Sequence, residues 1–212
     1  MEVFSRAYDY AVANLDDLLT ALQQHFLLVL IPLAIGLVVG LPLGLWSSRS
    51  QIVSAVLING FNALRVIPSL AVLFLAIPYF GLSFQSAVIA LTLLVMPPIL
   101  INTDVAFRSI DPMTREAAYG MGMSSGQVLR SVEIPLALPV VLAGVKTAVV
   151  EVIASATLAA FIGAGGLGRF IVLGFNVYDS AILLVGAIPV ALLAVTAEIG
   201  LGLMQRAAQP PR

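Results

Sequence analysis

The chain has 212 residues, of which 60% are hydrophobic and only 10% are charged, and its formal net charge is −1. A soluble domain usually carries about 25% charged residues, so this composition predicts an integral membrane protein. The near-neutral charge argues against a basic nucleic-acid-binding face, and the lack of cysteine excludes disulfides and thiolate metal sites.

The first part of the chain differs in character from the rest. Residues 1–20 mix polar and apolar side chains, and we expect an extracytoplasmic surface segment that forms a short helix leading into the first membrane helix. No basic run precedes a short apolar core, so we expect no cleaved signal peptide. The single histidine, His25, lies at a predicted membrane edge, and we interpret it as an interfacial residue rather than a metal ligand.

The membrane-spanning segments follow from uncharged runs, because a transmembrane helix needs about 20 mostly apolar residues. One such run, 66–103, is too long for a single crossing, and the turn signal at 78–81 divides it into two helices. A polar stretch, 108–133, separates these helices from the last two apolar segments. The five predicted crossings are 26–48, 58–79, 84–107, 136–162 and 180–204.

The distribution of arginines predicts which of the two possible orientations five crossings adopt, because cytoplasmic loops carry an excess of positive charge. With the N-terminus outside, the outer side holds only Arg6 and Arg169, and all the other arginines fall on the inner side. We therefore expect an external N-terminus, a cytoplasmic C-terminus and a cytoplasmic polar stretch. The transmembrane domain is predicted at 21–206, and the proline-rich tail at 207–212 is too short to fold.

Local signals within 111–133 predict two short helices joined by a glycine elbow. Asp111 is a good N-cap residue, and Pro112 fits the first helical position. Gly122 suits the end of this helix, and the sequence at 124–127 predicts a capping box that begins a second helix. From the residues alone, this segment is either a solvated loop or an exposed helix that binds a partner protein and transmits its movement to the membrane spans.

A spacing pattern within this segment resembles a known family. Glu116-Ala117-Ala118, then Gly122, then Val132-Glu133-Ile134-Pro135 are similar in residue type and spacing to the coupling segment of ABC importer permeases. Over about residues 22–202, the chain resembles the osmoprotectant branch of that family. The further segments that carry this resemblance are 67–70, 121–123, 134–139, 156–160 and 163–168.

The resemblance implies an all-α integral membrane fold of the ABC importer type I permease class, with about five transmembrane helices and a cytoplasmic coupling helix. It implies a permease subunit for quaternary amines such as glycine betaine, choline or carnitine, in a bacterial-type plasma membrane. The chain itself would be no enzyme and would bind no cofactor or metal, while ATP-Mg would bind a partner subunit. The implied partners are a second permease chain (the same or a related one), two ATPase subunits and a separate extracytoplasmic substrate-binding protein.

The resemblance also assigns candidate residues to ATPase coupling. Glu116 could meet a cation or a backbone donor, and the small side chains of Ala117 and Ala118 would let a partner backbone come close. Gly122 and Pro135 complete the pattern.

Charges inside apolar segments suggest candidates for the translocation path, because a charge within the bilayer should face protein or water. Glu151 lies near the middle of the fourth predicted helix. It either lines the path and attracts a quaternary ammonium ion, or pairs with Lys146, Arg65 or a partner subunit. The other candidate path residues are Ile67, Pro68, Ser69 and Thr157, and a separate pair, Asp104 and Arg108, is spaced for contact on one helix face.

Glycine patterns have structural interpretations. Gly36, Gly40 and Gly44 lie on one face of the first helix and predict close helix packing. The string Gly163-x-Gly165-x-x-Gly168 resembles a dinucleotide fingerprint, but a membrane helix precedes it where that motif needs a strand. We expect a tight external loop there.

Three alternatives differ in what they require. An amino-acid permease for substrates such as methionine shares the architecture, and only substrate assays separate it. A secondary carrier or channel without an ATPase needs no polar elbow, and the internal repeat that marks many carriers is missing. An intramembrane enzyme needs Ser-His, paired aspartates or a zinc cluster, and one histidine without a facing aspartate pair argues against it.

Overall fold

The computed structural model describes residues 2–209, and every regular element in that range is helical. Met1 of the predicted surface segment and residues 210–212 of the predicted tail lie outside the described residues. The α-helices are α1 Glu2–Ala13, α2 Leu15–Ser48, α3 Gln51–Val66, α4 Ser69–Phe80, α5 Phe84–Arg108, α6 Pro112–Gly120, α7 Ser125–Val128, α8 Ile134–Ala156, α9 Gly168–Asn176 and α10 Ser180–Ala207. A π-helical turn, Leu129–Glu133, joins α7 to α8, and a 3₁₀ turn, Leu158–Ile162, follows α8.

Four helical segments among residues 2–209 are long and apolar enough to cross a membrane, and a bent pair of shorter helices makes a fifth if the two together count as one span. The predicted crossings at 84–107 and 180–204 are confirmed by α5 and α10. The helix predicted at 26–48 is longer than expected, because α2 already begins at Leu15. Asp16 and Asp17 lie in its first turn, where the helix N-terminus favours negative charge. Because the spans were predicted from uncharged runs, these two aspartates excluded this turn from the predicted helix.

The single helix predicted at 58–79 is wrong. The chain forms α3 and α4 instead, and their axes differ by 98°. The break lies at Ile67, whose backbone is extended with φ −75° and ψ 124°. Pro68 causes this conformation, since a proline ring clashes with a helical residue before it.

The helix predicted at 136–162 also has different limits. The helical path is continuous from Ser125 through the π turn to Ala156, so the predicted second short helix is the first part of this span. After Ala156 the chain tightens into the 3₁₀ turn, which ends at Gly163 in the left-handed region with φ 74°. The predicted external loop therefore begins where a glycine conformation ends the helix.

Helix α5 is the most buried of the spans and lies between α2 and α8. The glycine face of α2 packs against it, with Gly36, Gly40 and Gly44 facing Val95, Ile99 and Thr103 in turn. On the other side, Gly144 of α8 lies against the Pro98 carbonyl and the Asn102 side chain of α5. The predicted close packing through α2 is confirmed, and α5 is held by backbone approach on two sides.

The bundle has two ends, which we name the α9 end and the α6 end. At the α9 end, Arg6 of α1 donates to Asp179 before α10 at 2.5 Å, and the Gly166 N–H donates to Gln24 Oε1 of α2 at 3.0 Å. His25 follows Gln24 and is fully buried; within residues 2–209 neither of its ring nitrogens has a hydrogen-bond partner. The interfacial interpretation of His25 is therefore wrong, because α2 extends past it and packs it against the loop at Gly166.

Candidate coupling site

The coupling segment begins with the helix that its sequence predicts. The Asp111 side chain accepts a hydrogen bond from the Met113 N–H at 2.9 Å, and Pro112 occupies the first turn of α6. Helix α6 ends at Gly120, and Gly122 takes a left-handed conformation with φ 83°. The Ser124 N–H then donates to Gln127 Oε1 at 2.8 Å at the start of α7. The predicted first helix and glycine elbow are confirmed, and the helix predicted after the elbow is the start of the long span that continues to Ala156.

The residues predicted to contact an ATPase do not all face outward. Glu116 and Ala117 are exposed on α6, and Gly122 and Pro135 are exposed beyond it. Ala118, in contrast, is 2% exposed, so it packs inside this chain and is not part of a small surface face. Ala118 is buried because one side of α6 packs against the bundle. Only the opposite side of the helix is exposed to a partner.

Helix α6 is held to the bundle by a buried carboxylate that the sequence analysis did not single out. Glu133, in the π turn before α8, has a side chain that is only 3% exposed. Arg115 of α6 donates to its Oε1 at 2.6 Å, and Arg49, the residue after α2, donates to Oε1 at 2.9 Å and to Oε2 at 2.5 Å. Hydrogen bonding to Glu133 raises the pKa of the Arg49 guanidinium above its ordinary value. We refer to Arg49, Arg115 and Glu133 as the Glu133 joint.

Arg115 has a further partner within the same site. Its guanidinium also donates to the backbone carbonyl of Phe107 near the end of α5. One side chain of α6 therefore contacts both α5 and the residue before α8. Because an arginine presents several donors in a rigid fork, this arrangement fixes the position and the direction of the short helix.

A second buried carboxylate lies at the same end of the bundle as the Glu133 joint. Asp104 of α5 is 1% exposed and accepts from Ser47 of α2 at 2.7 Å and from Ser54 of α3 at 3.3 Å. Arg108 donates to Asp104 Oδ1 at 3.1 Å, which confirms the predicted pair, and also donates to the Ser47 carbonyl at 3.0 Å. Three polar side chains thus satisfy a charge that would otherwise be costly to bury. A sequence can reveal the Arg108 contact by its spacing, but not the two serines.

The candidate path residues fall in two places. Ile67, Pro68 and Ser69 form the bend between α3 and α4, with Pro68 exposed and its neighbours partly buried. Thr157 is the residue after α8, and its hydroxyl donates to the Ala154 carbonyl at 2.7 Å.

Glu151 of α8 is partly buried. Among residues 2–209 it forms no direct ion pair, so the predicted pair with Lys146 is wrong, while the Arg65 charge acts on it without such a contact. A path role or a partner-subunit contact stays a prediction. Lys146 binds Glu198 of α10 instead, at 2.8 Å. The spacing within α8 could not reveal this partner, because Glu198 lies on another helix.

The glycine string at the α9 end is a loop rather than a nucleotide site. Gly163, Gly165 and Gly166 all have positive φ, and a 3₁₀ turn precedes them. Gly168 begins α9, a helix that the sequence analysis did not predict. A Cβ on Gly165 would meet the Gln24 side chain, so this loop needs glycine to approach α2.

Solved structures share this arrangement of helices. An inward-facing structure of the MetNI methionine ABC transporter covers 92% of this chain and 98% of its own, with a TM-score of 0.79 and 22% identity. A chain from an amino acid ABC transporter covers 93% of this chain and 97% of its own, with a TM-score of 0.76 and 20% identity. These similarities confirm the predicted type I permease fold.

Sequence comparison gives the family. The carnitine transport permease protein OpuCB of Listeria monocytogenes is 41% identical over 91% of this chain and 88% of its own length. The glycine betaine/carnitine/choline transport system permease protein OpuCB of Bacillus subtilis is 36% identical over 93% and 91%, and the osmoprotectant import permease protein OsmW of Salmonella typhimurium is 38% identical over 89% and 90%. Residues 20–209 match the family described as binding-protein-dependent transport system inner membrane component. The predicted resemblance is confirmed, and the chain belongs to this family as a multi-pass ABC importer permease subunit.

Proposed function

We propose that this chain is the permease subunit of an ATP-driven importer for quaternary-amine osmoprotectants such as glycine betaine, choline or carnitine. The observation that carries the substrate class is the 36–41% identity to relatives named for carnitine, for glycine betaine/carnitine/choline and for osmoprotectant import, in three bacterial genera. The similarity extends over nearly the whole chain, so it includes the membrane spans as well as the coupling segment.

The proposed assembly contains two permease chains, two ATPase subunits and an extracytoplasmic substrate-binding protein. Two different B. subtilis permease proteins, OpuCB and OpuCD, are both named for one glycine betaine/carnitine/choline system and are 36% and 38% identical to this chain. A related permease or a second copy of this chain could therefore serve as the membrane partner. ATP-Mg binds the ATPase subunits in this proposal, and this chain supplies no group for hydrolysis.

The proposed orientation places the α6 end in the cytoplasm and the α9 end outside. It rests on the arginine distribution, since Arg49, Arg108 and Arg115 all lie at the α6 end. The ATPase can then reach Glu116 and Ala117 on the exposed side of α6. The loop at 163–167 and helix α9 face the binding protein.

The proposed mechanism is a shift between inward-open and outward-open forms. ATP binding draws the ATPase subunits together, and α6 carries that movement into the helices to which it is bonded. Because a ligand shifts an equilibrium only through different affinities for its two states, the ATP-bound ATPase must grip α6 differently in the two forms. Substrate leaves the binding protein into the outward-open path between the two permease chains. Glu151, Thr157 and the bend at 67–69 are our candidates for lining this path.

Uptake into proteoliposomes tests the substrate class. The complete complex, with the binding protein on the outer side, should import labelled choline, carnitine or glycine betaine only when ATP is enclosed. Excess unlabelled methionine should not compete. Methionine uptake by the same complex would favour the amino-acid alternative, and uptake of a quaternary amine by the permease alone would favour a secondary carrier.

A further inference from the structure

The Glu133 joint connects three elements through one side chain. Glu133 lies directly before α8, Arg115 lies on α6, and Arg49 directly follows α2. The carboxylate accepts three hydrogen bonds from the two arginines and is almost closed to solvent. Exposed pairs at the other end, such as Arg169 with Asp17 at 3.6 Å, lack both the burial and the multiple bonds.

This burial makes the joint stiff. An exposed ion pair is easily exchanged for water, but a buried carboxylate that loses a partner is left with an uncompensated charge. The two bonds from Arg49 also fix the plane of the carboxylate. A displacement of α6 relative to α2 or α8 would therefore break charge-assisted bonds and leave the buried carboxylate without a partner.

The joint also leads toward the bent span. Ser47 lies two residues before Arg49 and donates to Asp104, which in turn accepts from Ser54 of α3. Helix α3 ends at Ile67, where the chain turns by 98° into α4. Polar contacts to two buried carboxylates, joined to each other through the backbone of residues 47–49, thus connect α6 to the helix that precedes this bend.

We propose that Glu133 is a positioning residue for transport. Through its hydrogen bonds, α6, the end of α2 and the start of α8 move as one body when the ATPase moves. This inference rests on the proposed function, and it adds a residue outside the surface that contacts the ATPase. Glu133 acts through Arg115 and Arg49, because its own side chain is buried beneath α6. Asp104 extends the same connection to α3.

The test measures substrate imported per ATP hydrolysed by the complete complex in proteoliposomes. Glu133→Gln removes the charge but keeps the shape, and leaves the exposed side of α6 intact. We expect the variant to retain the ATPase and to hydrolyse ATP while the transport ratio falls about tenfold, a loss within the usual range of coupling between sites. Asp17→Asn, which removes an exposed carboxylate at the α9 end, is the matched control and should keep the wild-type ratio.

A double-mutant cycle separates coupling from general destabilisation. Arg115→Ala alone should lower the ratio of imported substrate to hydrolysed ATP by about as much as Glu133→Gln does. The double variant should have nearly the same ratio as either single variant, because both changes remove the same contact. Arg115→Lys keeps the charge and part of the donor set, so it should restore part of the ratio. A residue that only stabilised the fold would lower the amount of complex and leave the ratio per complex unchanged.

The possible outcomes are distinct. An unchanged ratio in Glu133→Gln and Arg115→Ala, with the wild type fully coupled, overturns this inference and leaves the proposed function standing. If Glu133→Gln does not fold, the same ratio is measured in Glu133→Asp and Arg115→Lys. A ratio below that of the wild type supports the inference, and a wild-type ratio overturns it. A wild-type permease that captures no ATPase overturns the proposed function and this inference together.

Discussion

Gly44 of α2 lies so close to Thr103 of α5 that a Cβ on residue 44 would come within 2.5 Å of the Thr103 Cβ and within 2.8 Å of the Leu100 carbonyl oxygen. The backbone oxygen cannot move aside without shifting α5. The closeness is greatest near the α6 end, where α2 and α5 also share Asp104. The glycine face of α2 therefore sets the distance at which the buried polar contacts can form.

We expect Gly44→Ala to destabilise the fold by about 1–3 kcal/mol, the usual cost of overpacking. The matched control is Gly60→Ala on α3, where a Cβ would meet nothing within 4 Å. Thermal unfolding in detergent, followed by the single tryptophan, Trp46, measures both variants. Equal midpoints for the two variants would contradict the packing described here.

Asp104→Asn should also lower stability, because the amide cannot satisfy Ser47, Ser54 and Arg108 together. We expect a loss of about 1–3 kcal/mol, the range for a buried polar group left without its partners. Asp9→Asn on α1, an exposed position, should leave the unfolding midpoint unchanged. If Asp104→Asn had the same unfolding midpoint as the wild type, the carboxylate would not be the centre of this cluster.

The elbow offers a pair of glycines that differ only in backbone conformation. Gly122 has φ 83°, while Gly126 has no positive φ, and a Cβ on either would meet nothing within 4 Å. Gly122→Ala should cost roughly 1–2 kcal/mol because a side chain disfavours the left-handed conformation, and Gly126→Ala should not. Amide hydrogen exchange in α6 should become faster in the first variant alone. Faster exchange in both would show that the elbow does not depend on the conformation of Gly122.

The proposed orientation is open to chemical labelling because the chain has no cysteine. Tyr8 is 71% exposed on α1 and Met121 is 75% exposed beyond α6. In intact cells, a membrane-impermeant maleimide should label Tyr8→Cys and spare Met121→Cys, and permeabilised cells should label both. The reverse pattern would place α6 outside, away from any cytoplasmic ATPase.

Sequence patterns predicted those parts of the fold that depend on local composition. Apolar runs gave α5 and α10, capping residues gave the start of α6, and the spacing of Gly36, Gly40 and Gly44 gave the α2 contact. The bend at Pro68 was missed because hydropathy measures composition, and the flanking residues are apolar on both sides of it. The signal was present, since a proline restricts the residue before it.

The buried parts of the site could not be predicted in the same way. Glu133 contacts Arg115 and Arg49, which lie 18 and 84 residues away, so no local spacing connects the three. His25 looked interfacial because the polar residues before it hid the start of α2. Lys146 pairs with Glu198 across 52 residues, whereas Glu151 on its own helix offered the nearer sequence partner.

The most direct test is capture of the ATPase subunit by the detergent-solubilised permease, comparing wild type with Glu116→Lys and with Asp9→Lys. Glu116 is exposed on a helix that is held from beneath by the Glu133 joint, so the change should leave folding intact while reversing a charge at the contact surface. We predict that wild type and Asp9→Lys retain the ATPase, and that Glu116→Lys binds it more than about tenfold more weakly, a change of ~1.4 kcal/mol. Equal capture by all three would contradict the coupling role of α6, and a wild-type permease that retains no ATPase would contradict the account as a whole.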